Sequence, residues 1–428
     1  MRFTILSSAV LLLTAYTSAL PALSSDTLAP LYQPQDAEAV SDSYIVVLKD
    51  HVDTEKAHSH CGWVNNLHKR DAPLAELLDA DAAAGIKHTY NLPGWRGYAG
   101  KFTEETVHHI RQSPEVAYVE RDTMMYTSEL QRGAPWGLSR ISHRDALTLR
   151  DFNKYSYDAK GGQDVKVYVI DTGINIDHSD FDGRAEWGVT IPENDNDKDG
   201  NGHGSHCAGT IAGRRYGVAK KAKPVAVKVL SSNGSGSTSW VLAGVNWVIE
   251  QHQLDAENAK KANKKYKGAV ANMSLGGGKS RALDTAVNQA VRSGLVFAVA
   301  AGNDNKDACN YSPAAADLAI TVGASNLRDR RAYFSNFGKC VDVFAPGENI
   351  LSIWNDGKDS TQTISGTSMA SPHVAGLAAY FLSLEEESVE PKVIKDKILK
   401  LGSKDKLDNI PKDTPNLLIF NDAPDSFF

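Results

Sequence analysis

A long apolar run spans residues 374–384 and is apolar almost all round. That pattern predicts a helix buried on every side, not one with a solvent face. Ala375, Gly376, Ala378 and Ala379 within it would let neighbouring elements pack close. Its lead-in, Ser365-Gly366-Thr367-Ser368-Met369-Ala370-Ser371-Pro372, is small and polar. Pro372 is expected in the first helical turn, where its missing N–H would be unpaired anyway. Upstream, β-rich runs at 165–170, 225–230, 269–274, 295–300, 320–322 and 341–344 alternate with helix-like runs at 203–212, 240–253 and 282–292, before a last helix at 369–384. The alternation predicts an α/β fold, a mostly parallel sheet covered on both faces. Functional groups in such folds gather beyond the C-terminal ends of strands, and Asp171 and Gly302-Asn303 fall there. Residues 260–267 are charge-rich and read as a solvated loop or a helix extension.

Residues 43–125 read as a separate small α+β unit, with strands at 44–48 and 116–120 and a helix at 104–112. Met1-Arg2, an apolar segment at 5–13, and Thr17 and Ala19 form a signal-peptide layout with cleavage after Ala19. The segment is too short to span a bilayer, and no later stretch is long and apolar enough. Residues 20–42 read as a flexible lead, and polar residues 127–133 as a poorly structured linker. The length of 428 residues allows two or three domains. The expected division is 1–19 signal, 20–42 lead, 43–128 small domain and 129–428 large domain. A net charge of −6 argues against nucleic acid as a partner.

Ser368 falls at the N-terminus of the buried helix, where the dipole and free N–H groups favour negative charge. An acyl-transfer nucleophile needs that environment, because an oxyanion forms beside the attacked carbon. A plain N-cap is the alternative use of such a residue. The choice depends on a base and an orienting acid elsewhere. The run at 165–170 ends in Asp171-Thr172-Gly173, and a glycine-rich loop enters a small-residue helix at His203. A serine hydroxyl is a weak nucleophile unaided. His203 would take its proton and Asp171 would fix the imidazole tautomer. Cys207, one helical turn on, should face His203.

Two metal readings compete. His203, His206 and Cys207 could hold a transition metal, but the spacing is not H-E-x-x-H and lacks its glutamate base. Asp195-Asn196-Asp197-Lys198-Asp199-Gly200 begins like a calcium loop, but its twelfth position is His206. It is expected to be an acidic surface loop.

Asp171-Thr172-Gly173, Gly202-His203-Gly204-Ser205-His206-Cys207-Ala208-Gly209-Thr210 and Gly366-Thr367-Ser368-Met369-Ala370-Ser371-Pro372 occur in that order. They resemble the three motifs of the subtilisin-like serine proteases. The resemblance implies a three-layer α/β/α fold and a serine endopeptidase of broad specificity, with Asp171, His203 and Ser368 as its triad. It implies an oxyanion hole formed by Asn303 and the Ser368 N–H. Residues 43–128 resemble the family's ferredoxin-like inhibitory propeptide, so an autoprocessed zymogen cut near Ser128–Glu129 is expected. Asn233–Gly236 and Asn272–Gly278 match the substrate-flanking strands, with Gly234, Ser235, Gly236, Ser274, Leu275 and Gly276 lining an extended peptide.

Residues 203–207, 233–236, 272–278 and 413–421 are similar to the proteinase K group, in particular its cerevisin branch of fungal vacuolar enzymes. Two departures are Ser205, where many relatives have Thr, and Thr238, where a tyrosine would line the cleft. In this group the thiol at Cys207 is free. Cys309 and Cys340 are then expected to pair and Cys61 to stay unpaired in the propeptide, the alternative being four buried thiols. Asp342 matches a calcium-binding aspartate, with the carbonyls of Asp317 and Ala319 completing a structural site. Catalysis needs no cofactor. Expected partners are protein and peptide substrates and the chain's own propeptide, with no nucleic acid, no membrane after signal removal, and a monomeric state. The resemblance favours the vacuole lumen, with an extracellular location as the alternative. Sequons at Asn233, Asn272 and Asn310 permit glycosylation. A catalytically silent binding protein on this fold is set aside because Asp171, His203, Ser368 and Asn303 are all intact.

Overall fold

A computed structural model describes residues 28–33, 39–71, 85–123 and 128–423. The expected signal segment and residues 20–27 and 34–38 of the expected flexible lead lie outside the described residues; the rest of that lead is not loose, because Leu31–Tyr32 and the start of Ala39–Leu48 are paired strands. The chain divides into two units, Met1–Tyr126 and Thr127–Phe428. No helix among the described residues is long and apolar enough to cross a membrane.

The N-terminal unit is a five-stranded sheet in the order Leu31–Tyr32, Val116–Thr123, Ala39–Leu48, Trp95–Lys101, Ile86–Leu92. The central pairings are antiparallel. Helices Thr54–Asp71 and Glu104–Gln112 accompany the sheet. Val64, Val107 and Ile110 from these helices share a core with Val46, Tyr98 and Val119 from the strands.

The C-terminal unit is built on a nine-stranded sheet. Its order is Ser403–Lys404, Leu417–Leu418, Val343–Pro346, Ile320–Ser325, Leu295–Ala300, Ala269–Met273, Lys166–Asp171, Lys223–Lys228, Glu186–Thr190. Every pairing is parallel except the first. Both faces are buried, and the side chains show it. Val167, Val169, Val270, Val296 and Ala298 enter one core, while their neighbours Tyr168, Ile170, Ala271, Phe297 and Val299 enter the other. This is the period-2 alternation of a strand with a layer on each side. Helices His203–Ala212 and Thr367–Leu384 contribute to the first core. Thr238–Lys261 and Arg281–Arg292 contribute to the second. The architecture is the expected three-layer α/β/α.

Chain direction places the site. From Lys166–Asp171 the chain builds outward to Glu186–Thr190, returns to Lys223–Lys228, then crosses to Ala269–Met273 on the other side. The order therefore reverses between the strands ending at Asp171 and Met273, and a crevice opens outside such a switch point.

Other expectations also need correction. Residues 128–132 are not an unstructured linker. Ser128–Arg132 is a strand paired antiparallel with Lys154–Asp158, in the register Glu129↔Tyr157 and Gln131↔Tyr155. Polar composition hid it, because side-chain bonds and not an apolar stripe fasten it: Tyr157 Oη donates to Glu129 Oε2 at 2.7 Å, and Gln131 Nε2 to the Arg215 carbonyl at 2.8 Å. Pro372 is not in the first turn, since the helix starts at Thr367. The expected calcium ligands surround a lysine nitrogen, as described below.

Candidate active site

The helix Thr367–Leu384 is buried at every position from Met369 to Ser383, which fixes its first turn at the crevice. A proline lacks the N–H that would bond the carbonyl four residues back. For Pro372 that carbonyl belongs to Ser368. It accepts instead from Ser274 Oγ at 2.8 Å and from Cys207 Sγ at 3.4 Å. Pro372 thus releases a helical acceptor that ties the serine to its surroundings. The tie continues inward, for Asn272 Nδ2 donates to Ser274 Oγ and Ser371 Oγ donates to Asn272 Oδ1. The Ser368 hydroxyl itself donates to the Ser274 carbonyl at 3.0 Å.

Asp171 is the last residue of its strand and fully buried. Its Oδ1 accepts from Thr172 N–H and lies 2.8 Å from His203 Nδ1. The His203 side chain is 26% exposed, so one edge of the ring is open to the crevice. Burial acts to lower the His203 pKa. The charge of Asp171, its hydrogen bond and then the charge of Asp199 outweigh burial and hold it above 6.5. Asp171, His203 and Cys207 bring their polar atoms within 4.8 Å of one another. Burial pushes the Cys207 thiol pKa up, so this sulfur stays protonated and donates to Ser368. His206 does not join them. Its Nε2 bonds the Ile350 carbonyl at 2.9 Å, which separates it from the rival metal set that the spacing allowed.

Asn303 follows the strand Leu295–Ala300 and is exposed. Its Oδ1 accepts from both Thr367 N–H, at 2.8 Å, and Thr367 Oγ1, at 2.9 Å. That fixes the amide so that Nδ2 is the end left free. A methyl built on Gly366 would lie 3.5 Å from the Ser368 nitrogen and 3.7 Å from Asn303 Nδ2. Two donors therefore converge on a space that only the absence of a side chain at Gly366 keeps open.

The crevice contains two pockets. One, of about 480 Å³, runs from His203 between Leu230, Gly234–Gly236 and Thr238 on one wall and Ser274–Gly277 on the other. The second, of about 370 Å³, is lined by Leu275–Gly278, Ala300–Asp304, Tyr311 and Ala314, with Thr367 and Ser368 at its edge. Gly234, Ser235, Gly236, Ser274, Leu275 and Gly276 all line the first pocket.

The loop read as an acidic surface feature is exposed at Asn196, Asp197, Lys198 and Gly200, as expected, but one of its carboxylates turns inward. Asp199 is 2% exposed. Its Oδ1 accepts from Thr172 Oγ1, Asn201 N–H and Gly202 N–H, and its Oδ2 from Ser205 N–H and Oγ. It thereby joins the residue after Asp171 to both sides of His203. Gly202, with φ +104°, makes the turn into the helix, a conformation that glycine adopts without strain. Asp195 pairs with the buried Lys228, whose Nζ also donates to the Thr172 and Leu230 carbonyls. Sequence reasoning missed Asp199 and Lys228. The D-x-N-G-H run held the first, and a lone lysine inside the otherwise apolar run at 225–230 signalled the second.

Cys309 and Cys340 form a disulfide, and Cys61 and Cys207 are free. Asp342, Asp317 and Ala319 converge as expected, but on Lys395 Nζ. The set suits a cation and already holds an ammonium, so calcium does not fit there.

A parallel sheet whose switch point holds an Asp–His pair close to Cys207, whose sulfur donates to a serine at a helix start with two donors beside it, is the arrangement of a serine hydrolase. The chain belongs to the subtilase family, whose profile matches residues 162–411, and carries a peptidase inhibitor I9 domain at residues 43–128. It is a subtilisin-like serine protease. It is 54% identical over 413 residues to "Alkaline protease 2" of Aspergillus fumigatus, covering 92% of this chain and 83% of that protein. It is 53% identical to "Subtilisin-like serine protease Pen c 2" of Penicillium citrinum, covering 92% and 90%. Among solved structures, a cold adapted subtilisin-like serine proteinase superposes with a TM-score of 0.60 at 46% identity, over 68% of this chain and 98% of that one.

Proposed function

We propose that the chain hydrolyses peptide bonds in proteins through attack by Ser368 Oγ, and that it belongs to the proteinase K group near its cerevisin branch. The observation that carries the reaction is the Asp171–His203 pair at 2.8 Å beside a serine whose N–H and the free Asn303 amide share one open space. An extended peptide lies between Gly234–Gly236 and Ser274–Gly276 and pairs with both as a strand. The Ser368 proton leaves the Ser274 carbonyl and passes to His203. The carbonyl oxygen takes the negative charge between Ser368 N–H and Asn303 Nδ2. His203 then protonates the departing amine, and water repeats the sequence on the acyl-enzyme. No cofactor enters these steps. Broad specificity follows from recognition that is mostly backbone pairing along a cleft rich in glycine.

The chain enters the secretory pathway and is made as a zymogen cut near Ser128–Glu129. In the described structure that bond lies in a paired strand, so the segment must leave Lys154–Asp158 to be cut in its own site. The proposed destination is the vacuole lumen, and the active species is a monomer. Asn310 is exposed and suits glycosylation, whereas Asn272 is fully buried and spent on Ser274 and Ser371.

One variant tests both reaction and processing. Full-length Ser368→Ala, purified without other proteases, should fold, accumulate uncut, ignore a fluorophosphonate probe and fail to hydrolyse casein. Normal processing, or retained casein hydrolysis, would remove Ser368 from the nucleophile role.

A further inference from the structure

One nitrogen occupies the centre of a cation cage. Lys395 Nζ lies 3.0 Å from Asp342 Oδ2, 2.6 Å from the Ala319 carbonyl and 3.2 Å from the Asp317 carbonyl. Asp342 Oδ1 also lies at 3.0 Å, so four oxygens surround an ammonium that has three donors and no acceptor. Lys395 projects from helix Pro391–Leu401, which is held against the core by the buried Ile394 and Ile398. Its side chain is 17% exposed. The oxygens are also held independently of the lysine. Asp342 Oδ2 accepts from Thr321 N–H at 2.8 Å, and Asp342 N–H donates to the Thr321 carbonyl. Asn288 clamps the other side, its Nδ2 donating to Asp317 Oδ1 and its Oδ1 accepting from Leu318 N–H.

Calcium needs about six to eight oxygens at roughly 2.3–2.6 Å. Here the middle is filled, and a second cation a few ångströms from the ammonium would be repelled. We propose that Lys395 is a tethered cation that takes the place of a bound divalent ion, and that the cage binds calcium only when the lysine is removed. The carboxylate and carbonyls then face one another without a counter-charge, in a pocket that water and calcium can enter. With the lysine present, the fold around Ile320–Ser325 does not depend on calcium at this point.

The test is thermal unfolding of the mature enzyme, blocked by a sulfonyl fluoride, in excess EDTA and in excess calcium chloride. The wild type shows whatever calcium response its other sites give, and Asp342→Asn shows the same response. Lys395→Ala melts about 5 °C lower than wild type in EDTA and regains most of that loss in calcium. The double variant K395A/D342N melts low in both. The proposal is overturned if K395A gains no more from calcium than the wild type, or if D342N abolishes a calcium response that the wild type has. Should K395A fail to fold, calcium titration calorimetry on the wild type and D342N decides. Equal stoichiometry supports the tethered cation, and loss of one ion in D342N overturns it.

Discussion

At the scale of single residues, the site depends on groups that never touch the substrate. Asp199 accepts five hydrogen bonds from Thr172, Asn201, Gly202 and Ser205, so it sets how the Asp171 strand meets the His203 helix. Its charge also helps raise the His203 pKa. In Asp199→Asn the charge is gone, one oxygen remains and the other is replaced by an NH2 donor. The acidic limb of kcat/KM should then move to lower pH, because neutral His203 persists further down, while kcat falls as the turn loosens. An unchanged limb would mean that Asp199 acts through structure alone. Gly366→Ala makes a sharper case. The backbone there is extended and unstrained, and the atoms nearest the new methyl belong to Ser368 and Asn303, none closer than 3.5 Å. The variant should fold and process poorly, with kcat down about a hundred-fold or more, since the methyl occupies the oxyanion's place; unaltered kcat would relocate the oxyanion hole. Asp171, His203 and Ser368 were legible because each ends or begins an apolar element. Asp199 and Lys395 were not. An acidic run, or a lysine in the Lys-rich helix Pro391–Leu401, reads the same whether it faces water or backbone. Only the fold decides which.

At the scale of elements, periodicity found the buried strands and the central helix because their neighbours are apolar on both faces. It was silent on Ser128–Arg132, where polar side chains carry the attachment, and it ended Thr238–Lys261 early because its last turns are charged. Pro372 was placed one turn too near the start, since a proline inside a helix is normally a fault; here the freed Ser368 carbonyl finds two donors from outside the helix. The Cys309–Cys340 disulfide, with a sequence separation of 31, closes a loop that includes the strand Ile320–Ser325 and Asn336, whose Oδ1 accepts from the N–H of Asp304 beside Asn303. In the chain-entropy model such a closure stabilises by about 3 to 4 kcal/mol. Cys309→Ala/Cys340→Ala should unfold at a denaturant midpoint lower by that amount divided by the m-value, with casein hydrolysis retained at low temperature. A midpoint equal to wild type would show that the loop is already ordered by its packing.

At the scale of the whole molecule, chemistry and stability respond to acid in the same direction. Catalysis needs neutral His203, whose pKa is raised. The catalytic unit also buries two histidines that must stay neutral for a different reason. His206 is fully buried with one ring nitrogen on the Ile350 carbonyl. His373 bonds the Met369 carbonyl and is 1% exposed. Burial outweighs the backbone hydrogen bonds of Ile350 and Gln362 at His206 and of Met369 at His373, and lowers the pKa to about 3 for His206 and about 4 for His373. Both folded values lie below the unfolded value near 6.5, so the unfolded chain takes up protons first. The stability these residues confer is therefore complete above about pH 6.5 and is lost as pH falls towards 4 and then 3. Around pH 5 the two together make stability fall by about 2 to 3 kcal/mol per pH unit. Denaturant titration of the blocked mature enzyme between pH 7 and 5 would measure this slope. Carboxylates add to it, so the decisive comparison is His206→Gln, whose amide can still donate to Ile350 but cannot be protonated. Its slope should be shallower by about 1.4 kcal/mol per pH unit. If the variant keeps the wild-type slope, His206 is already charged in the fold and its burial is not what limits the enzyme in acid.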